Sequence, residues 1–227
     1  MTIARAEPFR LCLRHANLGR MLGLRRTIAA LAFVLVLSHG VHGADQLDCA
    51  GLFGHDASHA ALVKAFGEEN VIYKSIDRPQ GSTGKATILF GNDPTRKLIV
   101  EWRDEAARSR PIYIGVNNPS RWIGPLGIRI GTGIEEAEKL NGKIFRLNGF
   151  GWDLGGNAQF GKNDGKFGDL PGGCQFGFTF EPTAEGLPLG GKYRQLNGNH
   201  DLFSDMKLLR EIKPVIVEML LIYPENH

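Results

Sequence analysis

Long apolar runs are scarce in this chain. The one unbroken stretch, residues 28–37, falls well short of the roughly 20 apolar residues a membrane-spanning helix needs, so stable membrane insertion is not expected. Beyond residue 43 there is no basic cluster interleaved with aromatics, which argues against a nucleic-acid partner. No serine or cysteine stands in a nucleophile-elbow setting, and the glycine-rich stretch at residues 81–87 lacks the first glycine of a phosphate loop and has Ala86 where a magnesium-binding hydroxyl belongs. That stretch reads as a hairpin turn, and no cofactor is expected. Cysteine is limited to Cys12, Cys49 and Cys174.

What is present starts with a leader. Arg25 and Arg26 precede the apolar run, and Val41, His42 and Gly43 supply the small-residue end that a signal peptidase reads, so residues 1–43 are expected to be a leader cut after Gly43. Met21 would place the two arginines in a charged first region, and it is the expected true start. This segment carries six arginines and one acid. The remaining residues hold 21 basic and 23 acidic side chains, a net charge of −2 against +3 for the whole chain, so the basic character belongs to the leader. Export to the periplasm or outside the cell permits disulfides. With Cys12 upstream, Cys49 and Cys174 form an even pair and are expected to be bonded, the alternative being two separate buried thiols.

Two helices and their strands organise the rest. Ser58 is a cap for a helix with Leu62, Val63 and Phe66 on one face and Gly67 as its stop. Strands follow at residues 71–76, 86–90 and 98–102, divided by Pro79-Gln80-Gly81 and Asn92-Asp93-Pro94. After a strand at 112–116, Thr132 and Glu135 form a capping box for a second helix with Ile134, Ala137 and Leu140 on one face and Asn141-Gly142 at its end. Strands are then expected at 144–153, 157–160 and 174–181, the last with Cys174, Phe176, Phe178 and Phe180 on one buried face. The Gly/Asp/Asn-rich loop 161–173 is expected to be mobile. Ser204 is read as the cap of a short helix over 205–212, and 215–223 as a central strand paired on both sides. The fold class is therefore α+β: two tandem helix-plus-antiparallel-sheet modules, residues 44–118 and 119–227, with a continuous sheet shared between them as one option.

Gly131-Thr132-Gly133-Ile134-Glu135-Glu136 with Leu140-Asn141-Gly142 is similar to the Gly-x-Ser/Thr-x-x-Glu…Leu-x-Gly text of the small α/β modules of β-lactamase inhibitor protein and the SmpA/BamE lipoproteins. Gly149-Phe150-Gly151-Trp152-Asp153 also resembles uncharacterised secreted bacterial proteins. Asn141 departs from the usual helix ending. The resemblance implies a non-enzymatic binding protein with a protein or envelope-component partner, engaged through a concave sheet face bearing Trp122, Phe150, Trp152 and Asp153.

Chemistry-bearing residues give a rival reading. His200 beside Asp201, with Asp153, could do the acid–base work of a secreted hydrolase. The plainer reading of Asp201 is a helix cap, and that of Trp152 is packing with a hydrogen bond to its indole N–H. His55 and His59 have the spacing of paired zinc ligands, but a helix opening at Ser58 leaves His55 outside it, so no metal site is expected.

Overall fold

The first apolar helix forms where its cap and stop place it. In the structure, a computed structural model describing residues 45–78, 81–184 and 187–225, α1 spans His59–Phe66. The Ser58 hydroxyl accepts the Ala61 N–H at 3.3 Å, and Gly67 ends the helix at φ +87°. Leu62 is buried beneath it. The leader, the cleavage site and the Met21 start lie outside the described residues.

Strands β1 (Val71–Asp77), β2 (Thr83–Leu89), β3 (Leu98–Asp104) and β4 (Ser109–Asn117) follow as an antiparallel meander. The second helix, α2, spans Ile134–Asn141 and ends at Gly142, whose φ of +74° is the left-handed conformation that glycine adopts without cost. Then come β5 (Arg146–Asn148), β6 (Asn157–Gln159), β7 (Gln175–Glu181), 3-10 turns over Leu187–Leu196, β8 (Asp201–Phe203), α3 (Lys207–Glu211) and β9 (Val215–Ile222). Strand β9 pairs with β4 on one side and β7 on the other, giving one seven-stranded antiparallel sheet in the order β1-β2-β3-β4-β9-β7-β6. The fold is thus α+β, and the strands of both halves share a continuous sheet. The described residues all belong to one compact unit.

Paired residues of an antiparallel ladder share a face. One face carries Leu89, Val100, Ile114, Leu221, Met219 and Phe178, all fully buried. Leu62 of α1, Ile134 and Ala137 of α2 and Leu209 of α3 belong to the same cluster, so all three helices cover this face. Under the second half lies a layer of phenylalanines: Phe145, Phe160, Phe167, Phe176, Phe178 and Phe180, with neighbouring ring centroids 5.1–6.1 Å apart. Each such ring, fully buried, stabilises the fold by roughly 2–3 kcal/mol. The alternation in β7 predicts this face, and Cys174 just before it is bonded to Cys49, tying together positions 125 residues apart with Cα atoms separated by 5.7 Å.

Three local expectations are corrected. Thr132 does not cap α2: the helix opens at Gly133, and the Thr132 hydroxyl accepts the Arg129 N–H at 3.1 Å, closing the turn before it. The Ile134 N–H is taken by the Pro214 carbonyl at 3.2 Å, a tertiary partner that replaces the side-chain cap. Residues 144–153 do not form one strand. Arg146–Asn148 pairs with β8 in a separate two-stranded ribbon, Phe150 makes a single bridge to Asn197, and the chain turns within Gly149–Gly156. Ser204 is fully buried and caps nothing; its hydroxyl donates to Glu138 at 2.5 Å and accepts the Phe145 N–H at 3.1 Å, while α3 starts three residues later. The loop 161–173 is tethered by Asn141. That side chain donates to the Lys143 and Asp164 carbonyls at 3.0 and 2.9 Å and accepts the Phe167 N–H at 3.1 Å, with Phe167 fully buried.

Candidate functional site

Of the residues proposed for hydrolysis, His200 and Asp201 are held by other groups and Asp153 is exposed. The His200 ring bonds the Gln195 carbonyl at 3.2 Å, Asp201 on β8 pairs with Arg146 at 3.1 Å, and Asp153 sits exposed in the turn after β5. None of the three bonds another among the described residues. His55 and His59 also part company: the first faces Asp56 at 3.1 Å, the second the Thr87 hydroxyl at 2.9 Å. Thr87 is fully buried and accepts the Trp102 indole N–H at 2.7 Å, so one hydroxyl oxygen joins Trp102 and the His59 ring. Burial first, and then the charge of Arg108, hold the His59 imidazole below its ordinary value, which favours the neutral ring.

The four residues named for binding do not share an exposed face. Trp122 and Phe150 are buried. Trp152 is half-buried, and its indole N–H donates to the Gly149 carbonyl at 2.8 Å, so it braces its own turn. Gly149 fits there because a Cβ would fall 2.5 Å from the Gly198 carbonyl oxygen. Beside Trp152, Asp153 and Leu154 are exposed, Leu154 at 55%.

The other face of the sheet is where the apolar surface lies. One row crosses all seven strands: Ile72, Ile88, Ile99, Gly115, Leu220, Gly177 and Gln159. Ile88 and Ala86 are buried here yet stand outside the cluster packed by the helices. Leu220 lies over Gly115, where a Cβ would come within 2.8 Å of its Cδ2, and Ile222 lies beside Gly177. In the adjoining row Glu101 is buried, paired with Arg78 and accepting the Tyr113 hydroxyl at 2.6 Å. Burial first, and then the Glu101 hydrogen bond, push the Tyr113 hydroxyl above its ordinary value, so it stays a donor. Glu218 accepts from Thr179 at 2.9 Å, and Arg103 pairs with Glu225 at 2.5 Å. The charges along this face are therefore largely met from within it. In sequence the signal was present in β9, where Leu220 and Ile222 alternate with the core residues Met219 and Leu221.

A cleft of about 850 Å³ opens at the other end of the first half. Just before the lining residue Arg96, Asp93 accepts the Thr95 N–H at 3.0 Å and the Thr95 hydroxyl at 2.7 Å, closing a turn. The Arg96 guanidinium lies 3.6 Å over the Phe90 ring and grips Asp45 through Nε and Nη2 at 2.9–3.2 Å. Arg121 reaches the same carboxylate with Nε at 2.7 Å. Burial alone would raise the Asp45 carboxyl, but the hydrogen bonds from Arg96 and Arg121 outweigh it and hold it below the usual carboxylate range. Residues 45–47 are laid against Ile123 by two backbone bonds of 2.8 Å. Phe53, Phe66 and Trp122 form the apolar floor, Trp122 meeting Phe53 edge-on at 5.5 Å and donating its N–H to the Arg96 carbonyl at 2.7 Å.

Among the described residues no group of three or more His, Cys, Asp or Glu side chains is arranged to hold a metal ion, and no helix is long and apolar enough to cross a membrane. No protein-family model, no curated protein and no solved structure matches this chain.

Proposed function

We propose that the protein is a non-enzymatic binding protein of the periplasm or the extracellular space, and that it docks a protein partner on the sheet face that the described helices leave uncovered. The observation that carries this reading is the row across the sheet, apolar from Ile72 to Leu220 and ending at Gln159, with Ile72 48% exposed at one end and Leu220, and Ile222 in the next row, half-buried near the centre. A sheet face that no helix covers is a standing opportunity for association, since burying it releases water at about 25 cal/mol per Å². The chemistry of the face selects the occupant. Its acids and bases neutralise each other in place, so it offers no set of free cations for phosphate, in lipid headgroups or in nucleic acid; an apolar protein surface is what it matches. The leader in the sequence and the Cys49–Cys174 bond support an oxidising compartment. Among the described residues His200, Asp201 and Asp153 make no hydrogen bond with one another, and this favours binding over hydrolysis.

The test is capture from an envelope extract by the wild-type chain, by Leu220→Glu and by a Leu154→Glu control on the distant turn. A protein retained by wild type and control, lost with Leu220→Glu, and bound again when purified supports the reading. Capture that Leu220→Glu leaves unchanged contradicts the docking face, and a dimer in solution that Leu220→Glu dissociates would make a second copy the occupant instead.

A further inference from the structure

We infer that the cleft beside Asp45 is a binding site for an amphipathic carboxylate, a carboxyl group attached to an apolar body. The reasoning starts from the guanidinium groups. Arg96, Arg121 and Arg129 line one cleft, against the carboxylates of Asp45 and Asp48, of which Asp48 is engaged by the Ala50 N–H at 3.0 Å. Asp45 shows what this wall recognises: it is a carboxylate taken by two arginines at once, through Arg96 in a fork and Arg121 at a single nitrogen. Arg121 uses only Nε for that contact and is 58% exposed. Its two Nη groups remain for a second acceptor, since a guanidinium carries five donors. Arg129 makes no side-chain hydrogen bond or ion pair among the described residues, although its backbone is fixed beside Ile123 by an antiparallel bridge. Two guanidinium groups with unused donors therefore face a space whose floor is Leu52, Phe53 and Phe66.

The site is preorganised. Stacking on Phe90 and the bond to Asp45 hold Arg96, and the parallel bridge between Gln46 and Ile123 holds the segment that brings Asp45 in. A ligand needs to order only the side chains of Arg121 and Arg129. A volume of about 850 Å³ admits a medium-length aliphatic chain or the last residues of a peptide. Both present the same chemistry, a terminal carboxylate on an apolar body, and they are separable by experiment.

Calorimetric titration of the full-length chain with decanoate, methyl decanoate, and a leucine-ended hexapeptide in its free-acid and amidated forms tests the site. At least one acid should bind, with affinity lower by about tenfold or more for its ester or amide and for Arg129→Gln, and partly restored in Arg129→Lys. Binding of decanoate alone identifies a fatty carboxylate, and binding of the peptide acid alone a protein carboxy terminus; either upholds the site. Binding of neither acid, equal binding of acid and neutral form, or equal binding by Arg129→Gln with an unchanged melting temperature would overturn it.

Discussion

Asn141 shows how much one side chain can organise. Its three hydrogen bonds join the end of α2 to the glycine-rich loop, and Gly165 passes so close that a side chain there would run into the Asn141 amide. Replacing it with alanine leaves the Phe167 N–H and two carbonyls without their partner. Asn141→Ala is expected to destabilise the fold by about 3 kcal/mol, read as a lower urea midpoint, and an unchanged midpoint would show that the loop is held by other contacts. His59 gives a prediction in pH. Its imidazole is held below the ordinary value of about 6.5, so just under that pH the unfolded chain binds a proton that the folded chain refuses. Stability therefore rises with pH through this window and is lost as pH falls, and His59→Gln should remove that part of the slope in urea titrations run from pH 5 to 7. Asp45 acts lower down. With its carboxyl depressed, the docking of residues 45–47 should persist above about pH 4 and fail as pH falls further, seen as faster exchange of the Leu47 and Ile123 amides.

At the scale of elements, what could be read from the sequence was whatever local physics decides. Ser58 and Gly67 bound α1, Gly142 ends α2, and the alternation of Phe176, Phe178 and Phe180 assigns their face. What escaped was decided by distant partners. The α2 donor goes to Pro214, 80 positions along, so the Thr132–Glu135 pattern is available for a capping box that never forms. Ser204 looks like a cap before an apolar helix, but Glu138 and Arg210 claim it: Arg210 bonds both Glu138 oxygens at 2.9 and 3.0 Å and the Ser204 carbonyl at 3.1 Å. Trp122 and Trp152 looked alike as aromatic anchors because composition does not distinguish a ring facing the core from one bracing a turn. The arginine cleft was illegible for the same reason, since Asp45, Arg96, Arg121 and Arg129 converge only once the amino-terminal segment pairs with Ile123. Among these long-range links the disulfide was the one readable from counting. Cys174→Ser should cost about 2–5 kcal/mol of stability, with reduction of the wild type giving the same loss in a thermal melt; no change in either would mean that the folded core alone holds Cys49 in place.

For the molecule as a whole, the consequence of the topology is an asymmetry between the two faces of one sheet. The helices, the phenylalanine layer and the disulfide all serve one side, and the other is left with Ile72, Ile99, Tyr113, Leu220 and Ile222 and with charges satisfied among themselves. The joining of the two halves through β4 and β9 extends this face across all seven strands, and the proposed role rests on it. The most direct measurement is carbene footprinting of the full-length chain, alone and in host envelope extract. The account predicts that labelling of Tyr113, Leu220 and Ile222 falls in the extract while Leu126 and Leu154 label as before. Unchanged labelling of the sheet residues, or protection confined to Leu126 and Leu154, would contradict it.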